Sequence, residues 1–538
     1  MYGRSGNFFG FQGVRLQVAV AVVAGADFLL FGYDQGVTGS LLTLESFRRH
    51  FPSIDTLADG ISPSERSTRS TNQGIAVASY NLGSFLGAVA CIWLGNALGR
   101  RKTIFLGTAV MIVGAILQAS SHQLSQFIVG RIVTGFGNGL NTSTVPTWQS
   151  ECSRSHRRGQ LVMIEGALIT GGVMLAYWID FGFYFLDPSE ISWRFPLAFQ
   201  IVFCLFILSF VMSMPESPRW LVYHGKEDEA MHVLGALSDV DPDSQYIREE
   251  FHAIKDTVLE ASKGSFRDLF TMDENRHFHR TVLAYMNQVF QQISGINLIT
   301  YYIPNVLQNE VGLSPFLAKL IAACNGTEYF LASWIAVFTI EKVGRRKLML
   351  FGAAGMSICM VCLAITGSIG SSSSGIAETV FLFAFNTFFA IGWLGMTWLY
   401  PAEIVILKIR APANALSTTA NWIFNFMVVM ITPVAFENIG YRTYIIFAVI
   451  NAAIFPIVYY FYPETAYRSL EEMDSIFVKC KSVFTVVRIA KEEPRRYGKK
   501  GEVLISYDET DMSHRRQSSV TATSAHKQEK DEERKEVV

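Results

Sequence analysis

Charged residues are scarce in this sequence. They make up 17% of its 538 residues, whereas 50% of the residues are hydrophobic and 41 are Phe. A water-soluble protein usually carries about a quarter charged residues, so the composition argues against several soluble domains. The formal net charge of −1 gives no reason to expect an acidic or basic partner, and we expect no nucleic-acid partner.

Features of catalytic and metal sites are also lacking. The seven Cys residues lie mostly within apolar runs, so we expect neither a disulfide nor a metal site. Gly135–Gly139 is rich in Gly but has no following Lys-Ser/Thr, and we interpret it as a close helix contact rather than a phosphate loop. The opening residues lack the features of a cleavable signal peptide. We therefore predict a protein that is not an enzyme and uses no cofactor.

Long apolar runs are abundant. Each one covers the roughly 20 helical residues that a hydrocarbon core requires. We predict twelve membrane spans, at residues 14–40, 72–98, 103–120, 126–148, 161–182, 194–213, 279–308, 314–340, 347–367, 376–402, 412–437 and 441–461.

Basic residues occupy alternate connections between these spans. Gly99–Lys102 follows span 2, and Gly344–Lys347 follows span 8. Five connections on the opposite side contain no Lys or Arg, although the first outer loop departs from this pattern. Because positive charge marks the cytoplasmic side, we predict that both termini are cytoplasmic.

Three motifs occur twice in the same order. Gly99–Lys102 recurs as Gly344–Lys347, and Pro215–Ser217 recurs as Pro463–Thr465. Between them, Glu151 precedes Arg158 at the same spacing at which Glu403 precedes Arg410. Such a repeat indicates two equivalent halves, between which a transporter would hold its substrate.

The repeat and the spans together divide the chain. We expect residues 1–13 to form a tail, 214–278 to form a linker with short amphipathic helices, and the chain to be disordered from about residue 482. The predicted units are residues 1–13, 14–213, 214–278, 279–461 and 462–538.

The motifs resemble those of the sugar porter family of the major facilitator superfamily, and most closely its fungal members. The resemblance covers residues 14–474 and rests on Phe31–Val37, on Gln291–Asn297 followed by two Tyr residues, and on Pro463–Thr465 with Leu470–Asp474. It implies an all-α membrane protein with twelve transmembrane helices in two pseudo-symmetric six-helix bundles.

Amide side chains stand out in span 7. Unsatisfied polar groups are costly within a membrane, and amides suit a sugar because hydroxyls both donate and accept hydrogen bonds. Amides can equally well join one helix to another. The resemblance favours sugar binding, and it implies the contact residues Gln291, Gln292, Asn297, Trp398 and Asn421.

Asp34 lies within span 1, where a carboxylate costs roughly 2.5–3.5 kcal/mol and usually has a function. Its natural partner is Arg131 of span 4. The resemblance implies that Asp34 takes up a proton as the substrate binds and is then released from Arg131. A static buried ion pair is the alternative.

The repeated charged motifs have a different implied role. In the family they form a cytoplasmic salt-bridge network that forms in one state of the protein and breaks in the other. Simple enforcement of topology is the alternative, and both can hold together. The residues are Arg100, Arg101, Glu151, Arg158, Glu216, Arg345, Arg346, Glu403, Arg410 and Glu464.

The sequence also departs from the family pattern. Asn96 stands where the first copy of the loop motif usually has an acid, which predicts a weaker network in the first half. Gly166 stands where a sugar-binding Gln is usual, with Glu165 just before it, and span 8 contains Glu328. These differences broaden the expected substrate from a hexose to a sugar or polyol.

Together these features predict a secondary-active importer of a monosaccharide or polyol that works by alternating access with proton symport. Its partners would be the sugar or polyol, protons and the lipid bilayer, and its location would be the plasma membrane. The alternatives are a proton-independent facilitator and a nutrient sensor that binds sugar without appreciable transport.

Overall fold

A computed structural model of the protein describes residues 8–153, 158–262, 264–468, 470–480 and 482–493. These residues are mostly helical and include no β-strand. The description therefore covers both predicted halves, the linker between them and the beginning of the C-terminal tail.

Six long helices form the first half. They are α1 Gly13–Leu41, α2 Pro63–Leu98, α3 Arg100–Ala119, α4 Leu124–Glu151, α5 Arg158–Tyr184 and α6 Ile191–Val211.

The second half also has six spans, two of which are interrupted. A π-helical turn at Gln292–Ile296 divides the first of them, and residues 393–395 divide the fourth. The helices are α7a His277–Gln291, α7b Asn297–Asn309, α8 Pro315–Val343, α9 Arg345–Ile369, α10a Ser372–Gly392, α10b Met396–Ile404, α11 Leu407–Ile439 and α12 Arg442–Phe461.

Shorter helices connect and flank these spans. In the first outer loop they are Glu45–His50 and the 3-10 turn Pro52–Ile54, and a 3-10 turn at Phe8–Gly10 precedes α1. The linker contains Pro218–Tyr223, Glu227–Ser238, Gln245–Ser262 and the 3-10 turn Phe266–Phe270. After α12 come Leu470–Lys479, Val483–Thr485 and Val486–Glu492.

The twelve predicted spans coincide with α1 to α12. Ten stretches of described residues are long and apolar enough to cross a membrane. The other two spans are α4 and α7. The helix α4 contains buried polar residues such as Arg131, Asn138 and Asn141, and α7 is broken by its π-helical turn. Their polar side chains point into the protein, so low average hydropathy does not prevent these helices from spanning a membrane.

Glycines bring several helices of the first half into backbone contact. A Cβ atom on Gly135 or Gly139 of α4 would clash with the carbonyl oxygen of Tyr80 or Ser84 on α2. A Cβ atom on Gly137 would clash with the carbonyl oxygen of Gly107 on α3. The interpretation of the Gly-rich stretch as a close helix contact is thus confirmed, since only small residues allow such an approach.

The ordered chain extends further than predicted at its C-terminal end. Disorder was expected from about residue 482, yet residues 483–492 are helical, and only the later part of the predicted disordered tail lies outside the described residues. Val486 is fully buried, and the Phe484 ring lies 5.1 Å from that of Phe461 on α12. A few apolar residues within a polar sequence are enough to fix this segment against the bundle.

The ends of the spans define two faces of the molecule. We call the face that contains Gly99–Lys102 and Gly344–Lys347 the basic face, and the opposite one the far face. The halves contact each other mainly through α2 with α11, α5 with α8, and α1 with α7b. The interface between the halves therefore includes α7b, which begins directly after the π-helical turn.

Candidate functional site

The centre of the candidate site is the interruption in α7. Gly295, within the π-helical turn, has a φ of 102°, which side-chain-bearing residues rarely adopt. A Cβ atom there would also lie 2.7 Å from Cε of Met360. A glycine is required at this point, and the turn it permits carries Gln292 and leads into Asn297.

The predicted amides form one hydrogen-bonded cluster. Gln292 Nε2 donates to Gln291 Oε1 at 3.0 Å, and Asn297 Nδ2 donates to Gln292 Oε1 at 2.7 Å. Asn421 of α11 donates from Nδ2 to Gln291 Oε1 at 3.3 Å and to Gln288 Oε1 at 2.7 Å. The four predicted amides are all buried, with at most 6% of each residue exposed. The structure thus brings them together and adds Gln288, one helical turn before Gln291.

The same amides support the break in α10. Gln291 Nε2 donates to the carbonyl oxygens of Trp393 and Leu394 at 3.2 and 3.1 Å, and Gln288 Nε2 donates to that of Thr397 at 2.9 Å. Residues 393–395 have left the helix, so their carbonyl groups need other donors. Gln291 therefore stabilises the α10 break in this conformation. The Oδ1 atoms of Asn297 and Asn421 accept no hydrogen bond from the described residues, and they remain able to bind a hydroxyl.

Three Trp residues surround this region in different ways. The predicted contact residue Trp398 lies on α10b and is half-buried. Trp393 is fully buried and donates from Nε1 to the carbonyl oxygen of Met349 at 3.1 Å. Trp422 follows Asn421, and its ring meets that of Phe31 edge-on at 5.3 Å. Since Phe31 belongs to α1, Trp422 closes the space between the halves beside the amide cluster.

Asp34 and Arg131 are both completely buried in the first half. Neither oxygen of Asp34 has a hydrogen-bond partner among the described residues, and the same is true of Nε and Nη1 of Arg131. The guanidinium lies over the Tyr80 ring at 4.7 Å and donates to the carbonyl oxygen of Val77 at 3.3 Å. The expected partners thus share one polar region without a direct hydrogen bond.

Gly166 and Glu165 lie where α5 meets the break in α10. A Cβ atom on Gly166 would be 3.5 Å from Cγ of Leu394 and 3.7 Å from Cα of Gly395. These are ordinary van der Waals distances, so a side chain at this position would contact the α10 break of the second half. Glu328 lies elsewhere, beside an apolar cleft of about 480 Å³ on the outer surface that also includes Trp178 and Leu331.

The two copies of the basic motif have the same geometry. Glu216 accepts from the backbone N–H groups of Arg100 and Arg101 at 3.0 and 3.3 Å, at the start of α3. Glu464 accepts from those of Arg345 and Arg346 at 2.8 and 3.2 Å, at the start of α9. A carboxylate at a helix N-terminus accepts from N–H groups that have no partner within the helix, and its negative charge interacts favourably with the helix dipole.

A glycine permits this cap in each half. Gly99 has a φ of 84° and Gly344 a φ of 98°. A Cβ atom on Gly344 would lie 2.6 Å from Oε2 of Glu464, and one on Gly99 would lie 2.9 Å from Oε2 of Glu216. The repeat seen in the sequence is therefore a repeat of one helix-capping arrangement.

The Arg side chains of these motifs pair within their own half. Arg100 contacts Glu151 at 3.2 Å, and Arg345 contacts both Glu403 and Glu341 at 2.8 Å. The first half has Asn96 where the second has Glu341, so Arg100 lacks the second carboxylate. In both halves the Arg also donates to the carbonyl oxygen five residues before it, Gly95 at 3.2 Å and Ile340 at 3.3 Å. Arg100 therefore has one carboxylate partner for its side chain, whereas Arg345 has two.

The other members of the predicted network are placed as follows. Arg101 contacts Glu216 at 3.7 Å, and Arg346 lies over the Tyr459 ring at 4.9 Å. Arg410 donates to the carbonyl oxygen of Val405 at 3.1 Å. The side chain of Arg158 lies outside the described residues.

One contact of the linker reaches the second half. Asp268 lies 3.1 Å from Nζ of Lys408, in the first turn of α11. The hydrogen bond from the backbone N–H of Ser265 has the largest effect on the pKa of Asp268, and the one from Lys408 has the next largest. Both hold that pKa below its usual value. The linker is thus held to the second half by a carboxylate that stays ionised.

At the far face the halves are joined by buried polar groups that the sequence did not reveal. Tyr301 donates to Oδ1 of Asn81 at 3.0 Å, and Tyr177 donates to the carbonyl oxygen of Thr300. Lys319 of α8 donates to the carbonyl oxygen of Ser40 at 2.8 Å and also to the hydroxyl of Thr43. Lys319 lies near one end of a predicted span, and the sequence does not show that its side chain faces the other half.

Comparison with known proteins agrees with this arrangement. The model of the family described as "Sugar (and other) transporter" matches residues 18–477. The chain belongs to the sugar transporter family. It is accordingly a multi-pass membrane transporter of the major facilitator superfamily, and it is not an enzyme.

Several relatives cover most of the transporter. The sugar transporter STL1 of Saccharomyces cerevisiae is 39% identical over 88% of this chain and 83% of its own. The MFS-type transporter oryC of Aspergillus oryzae is 39% identical over 91% of both chains. The hexose transporter HXT13 of Saccharomyces cerevisiae is 31% identical over 83% of this chain and 80% of its own.

Solved structures share the fold of the transporter. The proton:xylose symporter XylE bound to 6-bromo-6-deoxy-D-glucose superposes with a TM-score of 0.73 at 24% identity, covering 86% of this chain and 99% of that one. The partially occluded inward open conformation of XylE from E. coli gives a TM-score of 0.71 over 84% and 98% of the chains. The all-α fold with twelve spans in two halves is confirmed.

Proposed function

We propose that the transporter imports a monosaccharide or polyol together with a proton, by alternating access, across the plasma membrane. In this proposal the basic face and both termini are cytoplasmic. The observation that carries it is the buried amide cluster at the α7 break, where two acceptor oxygens remain available between the halves. Positive charge at one face supports the orientation.

Substrate hydroxyls would bind at Asn297 and Asn421. Each side chain has an Oδ1 atom that can accept from a hydroxyl, while Gln291 and Gln292 hold the two Asn residues in place. A half-buried Trp398 could lie against the apolar face of a sugar ring. Gly166 stands where a sugar-binding Gln is usual, so the site lacks one amide that would bind a hydroxyl. This loss favours a small sugar or a polyol over a hexose.

Asp34 would be the proton site. Its two oxygens have no hydrogen-bond partner among the described residues. In the same region, Nε and Nη1 of Arg131 also have no partner among those residues. A carboxylate without donors in a membrane is costly, and a proton removes that cost. When the substrate leaves and the proton is lost, the free carboxylate can pair with Arg131. Protonation and pairing would thus alternate during the transport cycle.

The energy available from one proton is sufficient for accumulation. A membrane potential of about 100 mV contributes roughly 2.3 kcal/mol per proton, and one pH unit adds about 1.4 kcal/mol. The sum corresponds to accumulation of several hundred-fold. A facilitator without proton coupling could not exceed equilibrium.

The test is uptake into vesicles that contain the purified transporter, using D-glucose, D-xylose, sorbitol and glycerol. Each solute is measured with and without an inward proton gradient. We expect at least one of them to accumulate above equilibrium only when the gradient is present. Uptake that stops at equilibrium under a gradient would reject symport and leave a facilitator, and binding without uptake would indicate a sensor.

A further inference from the structure

The interior of the first half contains more acids than the proposed proton site requires. Besides Asp34, α1 contains Asp27 and α5 contains Glu165, and these two side chains are 2% and 4% exposed. Arg131 is the one buried cation among the described residues of this half, and it lies beside Tyr80 near Asp34. A further acid, Asp180, interacts instead with Lys319 at the far face. Asp27 and Glu165 therefore need an explanation of their own.

Asp27 lies on the basic side of Asp34. Seven residues separate them along α1, which corresponds to about 10 Å at 1.5 Å per residue and places them on the same side of the helix. Oδ1 of Asp27 accepts from Asn141 Nδ2 at 2.7 Å, and the same Asn141 group donates to Thr108 at 2.9 Å. Oδ2 of Asp27 has no partner among the described residues. One oxygen is thus fixed and the other is available.

The register of α1 against α5 places Glu165 at the level of Asp27. Gly32 of α1 packs on the backbone of Ile169, and Gly36 packs on that of Val173. The same offset carried towards the basic face brings Asp27 beside residues 164 and 165. Their charges interact, and no described cation forms an ion pair with either. Two neighbouring carboxylates without a cation would repel each other, so the pair is suited to hold a proton.

The hydroxyl of Tyr80, on α2, is buried without a hydrogen-bond partner among the described residues. The charges of both Asp34 and Asp27 act on it. The ring itself is fixed, because Arg131 lies over it at 4.7 Å and Trp422 meets it edge-on at 6.4 Å. A phenol can accept a proton on its oxygen while giving up its own. Tyr80 is therefore the candidate for proton transfer between the two acids of α1.

Glu165 lies next to a contact between the two halves. Its neighbour Gly166 packs on Leu394 and Gly395 of the α10 break, and Met163 packs on Gly395 as well. Separation of α10 from α5 at this point would admit water to Glu165. Glu165, the nearest of these acids to the basic face, would thus contact water only when α10 and α5 separate on that side.

We propose that Tyr80, Asp27 and Glu165 form an exit route for the proton of Asp34 towards the basic face. The proton of Asp34 passes to the Tyr80 oxygen as the phenol proton passes to Asp27. It continues to Glu165 and then to water when α10 separates from α5. Asp34 is left as a carboxylate near Arg131, and Tyr80, Asp27 and Glu165 return to their initial states. This inference rests on the proposed proton symport.

The test compares Tyr80→Phe, Asp27→Asn and Glu165→Gln with the wild type in vesicles that contain a pH-sensitive dye. The solute is whichever of D-glucose, D-xylose, sorbitol and glycerol the wild type accumulates most. We expect solute-driven proton entry to slow at least ten-fold in each variant, while counterflow exchange without a gradient stays within two-fold. Tyr80→Phe removes a single oxygen, so it remains informative if a charge-removing variant fails to fold.

Two control variants make the outcome specific. Glu165→Asp keeps a carboxyl group and should retain proton entry, and Glu328→Gln makes the same chemical change beside the outer cleft and should behave as the wild type. Proton entry at the wild-type rate in all three test variants would reject the route. Equal loss of exchange and proton entry would also reject it, because it would indicate a structural role.

The same experiment tests the proposed function separately, through solute accumulation by the wild type and by Asp34→Asn. If the wild type never accumulates solute and Asp34→Asn changes nothing, symport itself is wrong. If Asp34→Asn abolishes accumulation while Tyr80→Phe, Asp27→Asn and Glu165→Gln leave it intact, symport stands and only the exit route is wrong.

Discussion

Nζ of Lys319 donates to the carbonyl oxygen of Ser40 at 2.8 Å and thereby joins the second half to the end of α1 in the first. The Lys319 side chain is 2% exposed, and it interacts with Asp180 of α5. It lies at the negative end of the α1 dipole, where a cation is favoured. Separation of the halves at the far face must break these contacts and bring the ammonium group into water.

Removal of this cation should favour opening at the far face. In Lys319→Met the Ser40 carbonyl loses a charged donor, and Asp180 loses its counter-charge. Hydrogen bonds to charged groups contribute about 1.5–3 kcal/mol, so the population open at the far face should rise roughly ten-fold or more. Spin labels on cysteines that replace Asp59 and Glu310 would report the distance between the two outer loops. Lys342→Met changes an exposed Lys at the other end of α8 and should leave that distance distribution as in the wild type.

The substitution Asp34→Asn should separate transport from accumulation. Asn cannot take up and release a proton, but its size is similar and it needs no counter-ion. We expect uptake against a gradient to fall to the equilibrium level while counterflow exchange remains within a few-fold of the wild type. Undiminished accumulation by the variant would remove Asp34 from the coupling mechanism.

Substitutions at Gln291 and at Asn297 should differ in their effect on the thermal unfolding temperature. Gln291→Leu removes the Nε2 donor to the carbonyl groups of Trp393 and Leu394, which keep only the longer hydrogen bonds from the Thr397 hydroxyl at 3.3 and 3.4 Å. Each lost hydrogen bond contributes about 0.5–1.5 kcal/mol. We expect a lower thermal unfolding temperature together with weaker binding. Asn297→Ala should weaken binding with a smaller change in unfolding temperature, since its Nδ2 contacts only Gln292. Equal destabilisation by the two variants would contradict the support assigned to Gln291.

The cap at the start of α9 should require glycine for two separate reasons. Gly344 has a φ of 98° and a ψ of 158°, a conformation almost confined to glycine, so Gly344→Ala costs about 1–3 kcal/mol and also brings Cβ against Glu464. Gly370 has a left-handed conformation with a φ of 63° and nothing within 4 Å of a Cβ atom, so Gly370→Ala is a reference for a positive φ without a side-chain contact. Thermal unfolding in detergent should show the larger loss for Gly344→Ala. Similar losses would mean that the carboxylate moves aside at little cost.

The contact between Asp268 and Lys408 should not respond to pH in the ordinary range. Because the pKa of Asp268 is lowered, the stabilisation is present above its usual pKa and is lost only as pH falls through the lowered value. The change in unfolding temperature caused by Lys408→Met should therefore be the same at pH 5.0 and pH 7.5. A difference that disappears at pH 5.0 would show that the carboxylate is protonated there.

The fold could be predicted from the sequence because membrane spans depend on local properties. Apolar length and alternating basic connections located the helices, and the motifs at Gly99 and Gly344 revealed the repeat. Hydropathy alone was weaker at α4, whose Arg131, Asn138 and Asn141 are buried by partners that a single helix does not show. The helix from Val486 to Glu492 was missed for a related reason, since its stability depends on contacts outside the segment.

The site was only partly predictable. The motif around Gln291 identified the amide cluster, but no sequence pattern showed that Gln291 donates to α10, more than a hundred residues away in the chain. Asp27, Asn141 and Lys319 have partners on other helices as well. A polar residue within a span indicates that a partner exists, whereas the identity of that partner depends on helix register and rotation.

The hydrogen bonds from Gln291 to the α10 break also bear on how substrate preference could change. A substitution at Gln291 would alter a backbone support and the recognition of a hydroxyl together, so most such changes would damage folding before they selected a new solute. Asn297 and Asn421 have acceptor oxygens outside that support. Laboratory selection for growth on other sugars or polyols should therefore recover substitutions at these two positions, and at Gly166, more often than at Gln291.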